Sequence, residues 1–112
     1  MKPIDFHPKA LEFIRTQTTA IRRQAGEALR GLQKGMALGM PLSKPMPTIA
    51  PGVSELRIKD ATVTVRVFYA IGKEDAIVVF HAFLKKSQKT LMREVNLGQR
   101  RLQEVLDAKI ES

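Results

Sequence analysis

Thr62-Val63-Thr64-Val65-Arg66-Val67-Phe68-Tyr69-Ala70 is the stretch that decides the fold. It is dense in β-branched and aromatic residues, which suit the pleated surface of a sheet and lose side-chain freedom in a helix. Just before it, Ser54-Glu55-Leu56-Arg57-Ile58-Lys59 alternates, with Leu56 and Ile58 on one face and Glu55, Arg57 and Lys59 on the other. Asp60-Ala61 supplies the turn between the two. Just after it, Gly72-Lys73-Glu74-Asp75 supplies a second turn. Ala76 to Leu84 then runs almost wholly apolar, as a central strand covered on both faces does. Three strands joined by short turns predict an antiparallel sheet.

Outward from this centre the period changes. Residues 2–6 read as a short first strand, which Pro3 confines to an edge or a strand start. A helix begins near His7-Pro8, with His7 in the cap region and Pro8 tolerated in the first turn, and runs through Ala10, Leu11 and Ile14. Thr18-Thr19 breaks it and caps a second helix. That helix carries one apolar stripe, Ile21, Ala25, Ala28, Leu29, Leu32 and Met36, and Gly35 is a natural stop near its end. Residues 39–52 hold Pro41, Pro45, Pro47 and Pro51 and predict a long loop, either a surface connector or a functional one. From about Gln88 to Lys109, Leu91, Val95, Gly98, Leu102, Val105 and Leu106 recur at helical spacing. The reading is a single α+β domain over residues 1–112, in the order β-α-α-β-β-β-α. Leu29, Leu32, Val65, Val67, Val79, Leu102 and Leu106 are expected in its core.

Composition narrows the function classes. A chain of 112 residues is one domain's worth and can bury a real core without staples. It has no cysteine, hence no disulfide framework, no thiolate nucleophile and no Cys-based zinc site, and its two histidines cannot alone make a three-ligand zinc centre. The 19 Lys+Arg against 11 Asp+Glu give a net charge of +8, a field that favours a polyanionic partner. Aromatics are only 5% and Trp is absent, which argues against an array of stacking platforms. The apolar runs are too short to span a membrane, and Met1-Lys2-Pro3-Ile4-Asp5 lacks the apolar core of a signal peptide, so a cytoplasmic protein is expected. No phosphate-binding glycine loop, no paired metal-binding carboxylates and no nucleophile motif around Ser87 occur.

The cations cluster. Arg57 and Lys59 share a face by parity, and Arg66 joins them if the turn register cooperates. An arginine between Val65 and Val67 in a strong strand is poor surface decoration; the plain alternative is an ion pair with Glu55 or Asp60. Lys85, Lys86 and Lys89 follow the apolar strand, either at an active-site strand end or as a solvated charge run. Alternation puts His81 on the face of Val79 and Phe83, where a buried histidine with a satisfied ring is the ordinary reading. Tyr69 reads as core or rim packing.

Three pieces in order carry a family resemblance: Leu42-Ser43-Lys44-Pro45 leading to Val53-Ser54-Glu55-Leu56-Arg57-Ile58; Val65-Arg66-Val67-Phe68-Tyr69; and Phe80-His81-Ala82-Phe83-Leu84-Lys85-Lys86-Ser87-Gln88-Lys89-Thr90. Together the chain resembles the RelE/HigB superfamily of type II toxin–antitoxin toxins, nearest its phage-derived HigB-like branch. The resemblance implies the RelE-like fold, a small twisted antiparallel sheet packed by two N-terminal helices and a C-terminal helix. It implies ribosome-dependent mRNA cleavage in the A site by 2′-hydroxyl attack, without metal or other cofactor. It also implies restraint by a cognate antitoxin, expected to be a small helix-turn-helix protein. Carried over by motif, Arg57, Arg66, Lys85, Lys86 and His81 are the catalytic candidates, and Lys59, Lys89, Tyr69 and Lys44 the RNA-binding ones. The stretch Lys89-Thr90-Leu91 departs from RelE itself, which carries a catalytic tyrosine after that strand end. Two other readings stand beside it: a non-enzymatic inhibitor of the ParE kind on the same scaffold, and a plain basic nucleic-acid-binding module.

Overall fold

Five strands form one sheet in the order β1-β5-β4-β3-β2, where β1 is Ile4–Phe6, β2 Ser43–Pro45, β3 Val53–Lys59, β4 Thr64–Ile71 and β5 Ile77–Leu84. Three helices complete the domain: α1 (Pro8–Arg15), α2 (Thr19–Gln33) and α3 (Met92–Glu111). The computed structural model describes residues 1–72, 75–86 and 90–111, the last three by backbone alone. The α+β class and the three central strands are as the sequence predicts.

The sheet is mixed, not antiparallel as expected. β1 runs parallel to β5, with Ile4 opposite Ile77 and Phe6 opposite Val79. A tight hairpin forces antiparallel neighbours, whereas β1 leaves through two helices and is free of that constraint. The Pro-rich segment is also not all loop. Ser43–Pro45 pairs antiparallel with β3, Lys44 lying opposite Glu55. Pro45 is tolerated because β2 is the edge strand of the sheet.

The helix ends follow their local chemistry. His7 caps α1, its Nδ1 accepting from the Lys9 amide at 3.1 Å. Thr18 caps α2 by accepting from the Ile21 amide at 3.2 Å, and its hydroxyl donates to Asp60 at 2.7 Å. Asp60 also accepts from the amides of Thr62 and Val63 in the β3–β4 turn, so Thr18 first, then these amides, hold its carboxyl well below the usual carboxylate range. Gly35, at φ +88°, ends α2 in a Schellman arrangement, with Met36 N donating to Gly31 O and Gly35 N to Leu32 O.

Two apolar layers sandwich the sheet. On one side α1 and α2 bring Ala10, Ile14, Ile21, Ala25, Leu29 and Leu32 against Leu56, Ile58, Val65, Val67 and Val79. On the other side Val95 and Val105 of α3, with Ile49, pack on Val53, Phe68, Val78, Phe80 and Phe83. The segment after β2 therefore forms part of this second layer, and Gln99 ties it to α3 through the carbonyls of Thr48 and Ile49. Leu29, Leu32, Val65, Val67 and Val79 are buried as expected, but Leu102 is only half-buried and Leu106 is exposed. The face of α3 against the sheet runs Val95, Gly98, Leu102, Val105, and Leu106 sits about 100° further round the helix.

Gly98 is where α3 comes closest to the sheet. A Cβ there would lie 2.8 Å from Phe68 Cδ2 and 3.1 Å from Cε2. Phe68 cannot yield easily, because Phe80, Phe83 and His81 surround its ring at centroid distances of 6.1, 5.3 and 5.5 Å. Gly98→Ala is therefore expected to lower stability by about 1–3 kcal/mol despite alanine's better helix propensity. A thermal melt that stays put or rises would show that α3 does not lie this close.

Alternation breaks once, in β5. Val67 faces Ala82 and Phe68 faces His81, but Tyr69 faces Val79, so Phe80 is an extra residue. Such a bulge resets side-chain parity. Phe80 and His81 both face α3, while Val79 faces α1 and α2.

Candidate functional site

Arg57 and Arg66 are direct cross-strand partners on β3 and β4. Two like charges so placed repel. Glu55, on the same face two residues from Arg57, lies between their guanidinium stems. Its Oε1 is 3.3 Å from Arg66 Nε and 3.7 Å from Arg57 Nε. The carboxylate is 2% exposed. The ion pair that the sequence left open for Arg66 is thus with Glu55, and Asp60 is engaged elsewhere, with Thr18 and the turn amides.

Neither contact has hydrogen-bond geometry, and both Nε atoms are buried without a hydrogen-bond partner. The attraction is Coulombic, and the two Nε–H groups meet no protein acceptor in hydrogen-bond geometry, a costly arrangement for buried donors. Among the described residues, no hydrogen bond reaches the terminal nitrogens of either fork.

Two lysines complete the cluster. Lys44 lies opposite Glu55 on edge strand β2 and so shares its face. Lys85, just past β5, approaches from the other side. Its Nζ donates to Thr90 Oγ1 at 3.3 Å, and Thr90 Oγ1 donates to Glu55 Oε2 at 3.0 Å. Burial pulls the Lys85 ammonium below the ordinary lysine range; Glu55 opposes this, and Arg66, Arg57 and Lys44 add to it. One buried carboxylate thus stands among four cations, and Glu55, Arg57, Lys85, Lys44 and Thr90 line an open hollow of about 320 Å³ walled by Met46 and Met92.

The remaining candidates spread outward. Lys59 lines an adjoining hollow with Arg57, Arg66, Gln24 and Thr64. Lys86 lines a third one, beyond Lys85, with Leu84, Arg93 and His81. Lys89 lies outside the described residues. Tyr69 does not join them. It is 5% exposed on the α1/α2 side of the sheet, where its hydroxyl meets Ser43 Oγ at 2.6 Å. It follows Phe68 in β4, so it must point to the opposite face.

His81 is buried against α3. Its Nε2 is 2.9 Å from Glu94 Oε1, and Arg101 Nη1 is 2.8 Å from Nδ1. Since arginine can only donate, Nδ1 accepts and Nε2 carries the proton toward Glu94. Stacking on Phe83 at 5.2 Å fixes the ring plane. Burial holds its pKa below the ordinary value; the Glu94 hydrogen bond opposes that and Arg101 adds to it.

Sequence reasoning missed Thr90 as a member of the site and took Glu55 only as an ion-pair partner. For Glu55 a signal existed, since an acid alternating with two bases on one strand face invites pairing. For Thr90 there was none, because nothing in Lys89-Thr90-Leu91 signals a hydroxyl placed against β3. Among the described residues, no group of three His, Asp or Glu is placed to hold a metal ion, and no helix is long and apolar enough to cross a membrane.

Fold and site together define a small basic α+β domain whose five-stranded sheet carries a cation cluster around one buried carboxylate, under the start of its last helix. The chain belongs to the family described as Phage derived protein Gp49-like (DUF891), whose profile matches residues 12–103. This family is related to toxin–antitoxin toxins of the RelE/HigB type. No curated protein matches the chain.

Proposed function

We propose that this protein is the toxin of a type II toxin–antitoxin pair and that it cleaves mRNA on the ribosome. The observation that carries the reading is the Arg57–Arg66 pair, two rigid forks anchored by their stems to buried Glu55 with their terminal nitrogens unpartnered among the described residues. A planar, always-charged fork matches two phosphoryl oxygens at once. In the reaction the RNA 2′-hydroxyl gives its proton to a base and its oxygen bonds the adjacent phosphorus. The phosphorus–5′-oxygen bond breaks and that oxygen takes up a proton, leaving a 2′,3′-cyclic phosphate and a 5′-hydroxyl end. Arg57 and Arg66 stabilise the charge that builds on the phosphoryl oxygens. Lys85, its pKa lowered by burial and its ammonium held beside the cluster by Thr90, serves as the proton-transfer group. Lys44, Lys59 and Lys86 hold flanking phosphates. The partners are the translating ribosome with its mRNA and an acidic antitoxin segment that covers the cations, which places the protein in the cytoplasm.

The test is induction in a bacterial host followed by mapping of mRNA ends. Translation arrest, with cuts that depend on translation, supports the reading. Altered DNA supercoiling with intact mRNA favours a gyrase-type inhibitor, and salt-sensitive binding of naked nucleic acid without cleavage favours a plain binding module.

His81→Ala separates the remaining proton-transfer candidate from the cluster. Because both ring nitrogens are engaged, the variant is expected to lose on the order of 3 kcal/mol and to keep its cleavage rate per folded molecule. The folded-state pKa is lowered, so His81 contributes stability that is present above its unfolded pKa of about 6.5 and is lost as pH falls through the folded value. That acid limb is expected to vanish in His81→Ala. Cleavage that falls while the melting temperature holds would assign the proton to His81 instead.

A further inference from the structure

We propose that Thr90 is a positioning residue of this site, holding the Lys85 ammonium one hydroxyl away from the Glu55 carboxylate so that Lys85 stays available to substrate rather than closing into an ion pair. The inference rests on the phosphodiester-cleaving reading above and deepens it.

Thr90 stands two residues before the first residue of α3. A threonine at the cap position itself would spend its oxygen on the helix amides. Here Leu91 takes the cap position, its carbonyl accepting from the Glu94 and Val95 amides, and the Thr90 hydroxyl turns toward the sheet. It accepts from Lys85 Nζ at 3.3 Å and donates its one proton to Glu55 Oε2 at 3.0 Å. The Glu55 oxygens are thus divided, Oε1 toward the two arginines and Oε2 toward Thr90. Were Oε2 open, a flexible lysine beside a buried carboxylate would close on it and be neutralised there. The hydroxyl occupies that place. It keeps the polarity of a hydrogen-bonded chain, Lys85 to Thr90 to Glu55, while keeping the two charges apart.

Two variants of the full chain test this. Thr90→Val keeps the shape and removes the hydroxyl, so Lys85 still cannot reach Glu55 and its ammonium faces a methyl group. Thr90→Ser keeps the hydroxyl. The Lys85 titration, followed by NMR of isotope-labelled lysine in the free protein, is expected to move to lower pH in Thr90→Val and to return in Thr90→Ser. Single-turnover cleavage on translating ribosomes is expected to fall about 10- to 100-fold in Thr90→Val, the worth of one hydrogen bond to a charged group, with a displaced pH profile, and to recover in Thr90→Ser. An unmoved Lys85 titration, a Thr90→Ser variant as displaced as Thr90→Val, or a Thr90→Val pH profile that superimposes on that of the unaltered protein overturns the role of Thr90. If the unaltered protein cleaves nothing, the cleavage reading fails by itself, and the Lys85 titration alone decides whether Thr90 sets that lysine.

Discussion

Arg66→Lys is expected to fold, to melt within a few degrees of the unaltered protein and to lose about 100- to 1,000-fold of translation-dependent mRNA cleavage. The lysine keeps a positive charge opposite Arg57 and beside Glu55, so the electrostatic balance of the buried cluster survives. What it loses is the fork. Arg66 has a side chain 12% exposed, and Glu55 holds its Nε end. Its terminal nitrogens are therefore presented from a stem that packing keeps still, and a transition state gains most from donors that need not reorganise. An ammonium is a point charge that cannot bridge two phosphoryl oxygens. Arg66→Ala is expected to lose at least as much cleavage and also some stability, since Glu55 then keeps only Arg57 and Thr90. Full cleavage by Arg66→Lys, measured by mapping mRNA ends after induction, would remove the arginine pair from the mechanism.

Removing Glu55 is expected to cost as much stability as truncating a large core side chain. Glu55→Ala leaves Arg57 and Arg66 facing one another across adjacent strands, with both Nε atoms buried and no carboxylate between them. Breaking a buried charge arrangement by deleting one partner costs about 3–5 kcal/mol, and for a domain of this size that lowers the melting temperature by more than about 10 °C. The double variant Glu55→Ala with Arg66→Ala is expected to regain part of the loss, because the like-charge pair goes with it. The coupling in that cycle is the measurement that matters. Glu55→Gln keeps an acceptor for Thr90 and serves where the alanine variant does not accumulate. A Glu55→Ala protein as stable as the parent would mean that the arginines balance each other through solvent and that Glu55 holds neither.

Local chemistry in the chain is strong enough to dictate most elements by itself. Alternation over Ser54 to Lys59 and the β-branched run through Val65 and Val67 determined two strands and the common face of Arg57 and Lys59. The stripe from Ile21 to Leu32, the Thr18 cap and Gly35 determined the second helix, because helix ends are settled by groups a few residues apart. Parity along one strand needs no knowledge of the rest of the fold, so the shared face of Arg57 and Lys59 was legible, while the place of Arg66 beside them waited on the register of β4 against β3.

Other features were decided only when distant segments met. The parallel placement of β1 depends on where two helices deliver the chain, and β2 exists because β3 offers it an edge despite its proline. The Phe80 bulge, which turns His81 toward α3 and away from the face of Val79, is a matter of register between strands and leaves no trace in composition. Tyr69, an RNA-binding candidate by resemblance and a packing residue by its own pattern, is buried because the α1/α2 layer closes over it. Thr90 and Glu55 lie 35 residues apart, and only the docking of α3 brings a hydroxyl to that carboxylate. Sequence alone thus determined which residues carry charge along each strand. Tertiary structure decided which of those charges are buried, paired and held apart, because burial and pairing are properties of neighbours that the chain order does not specify.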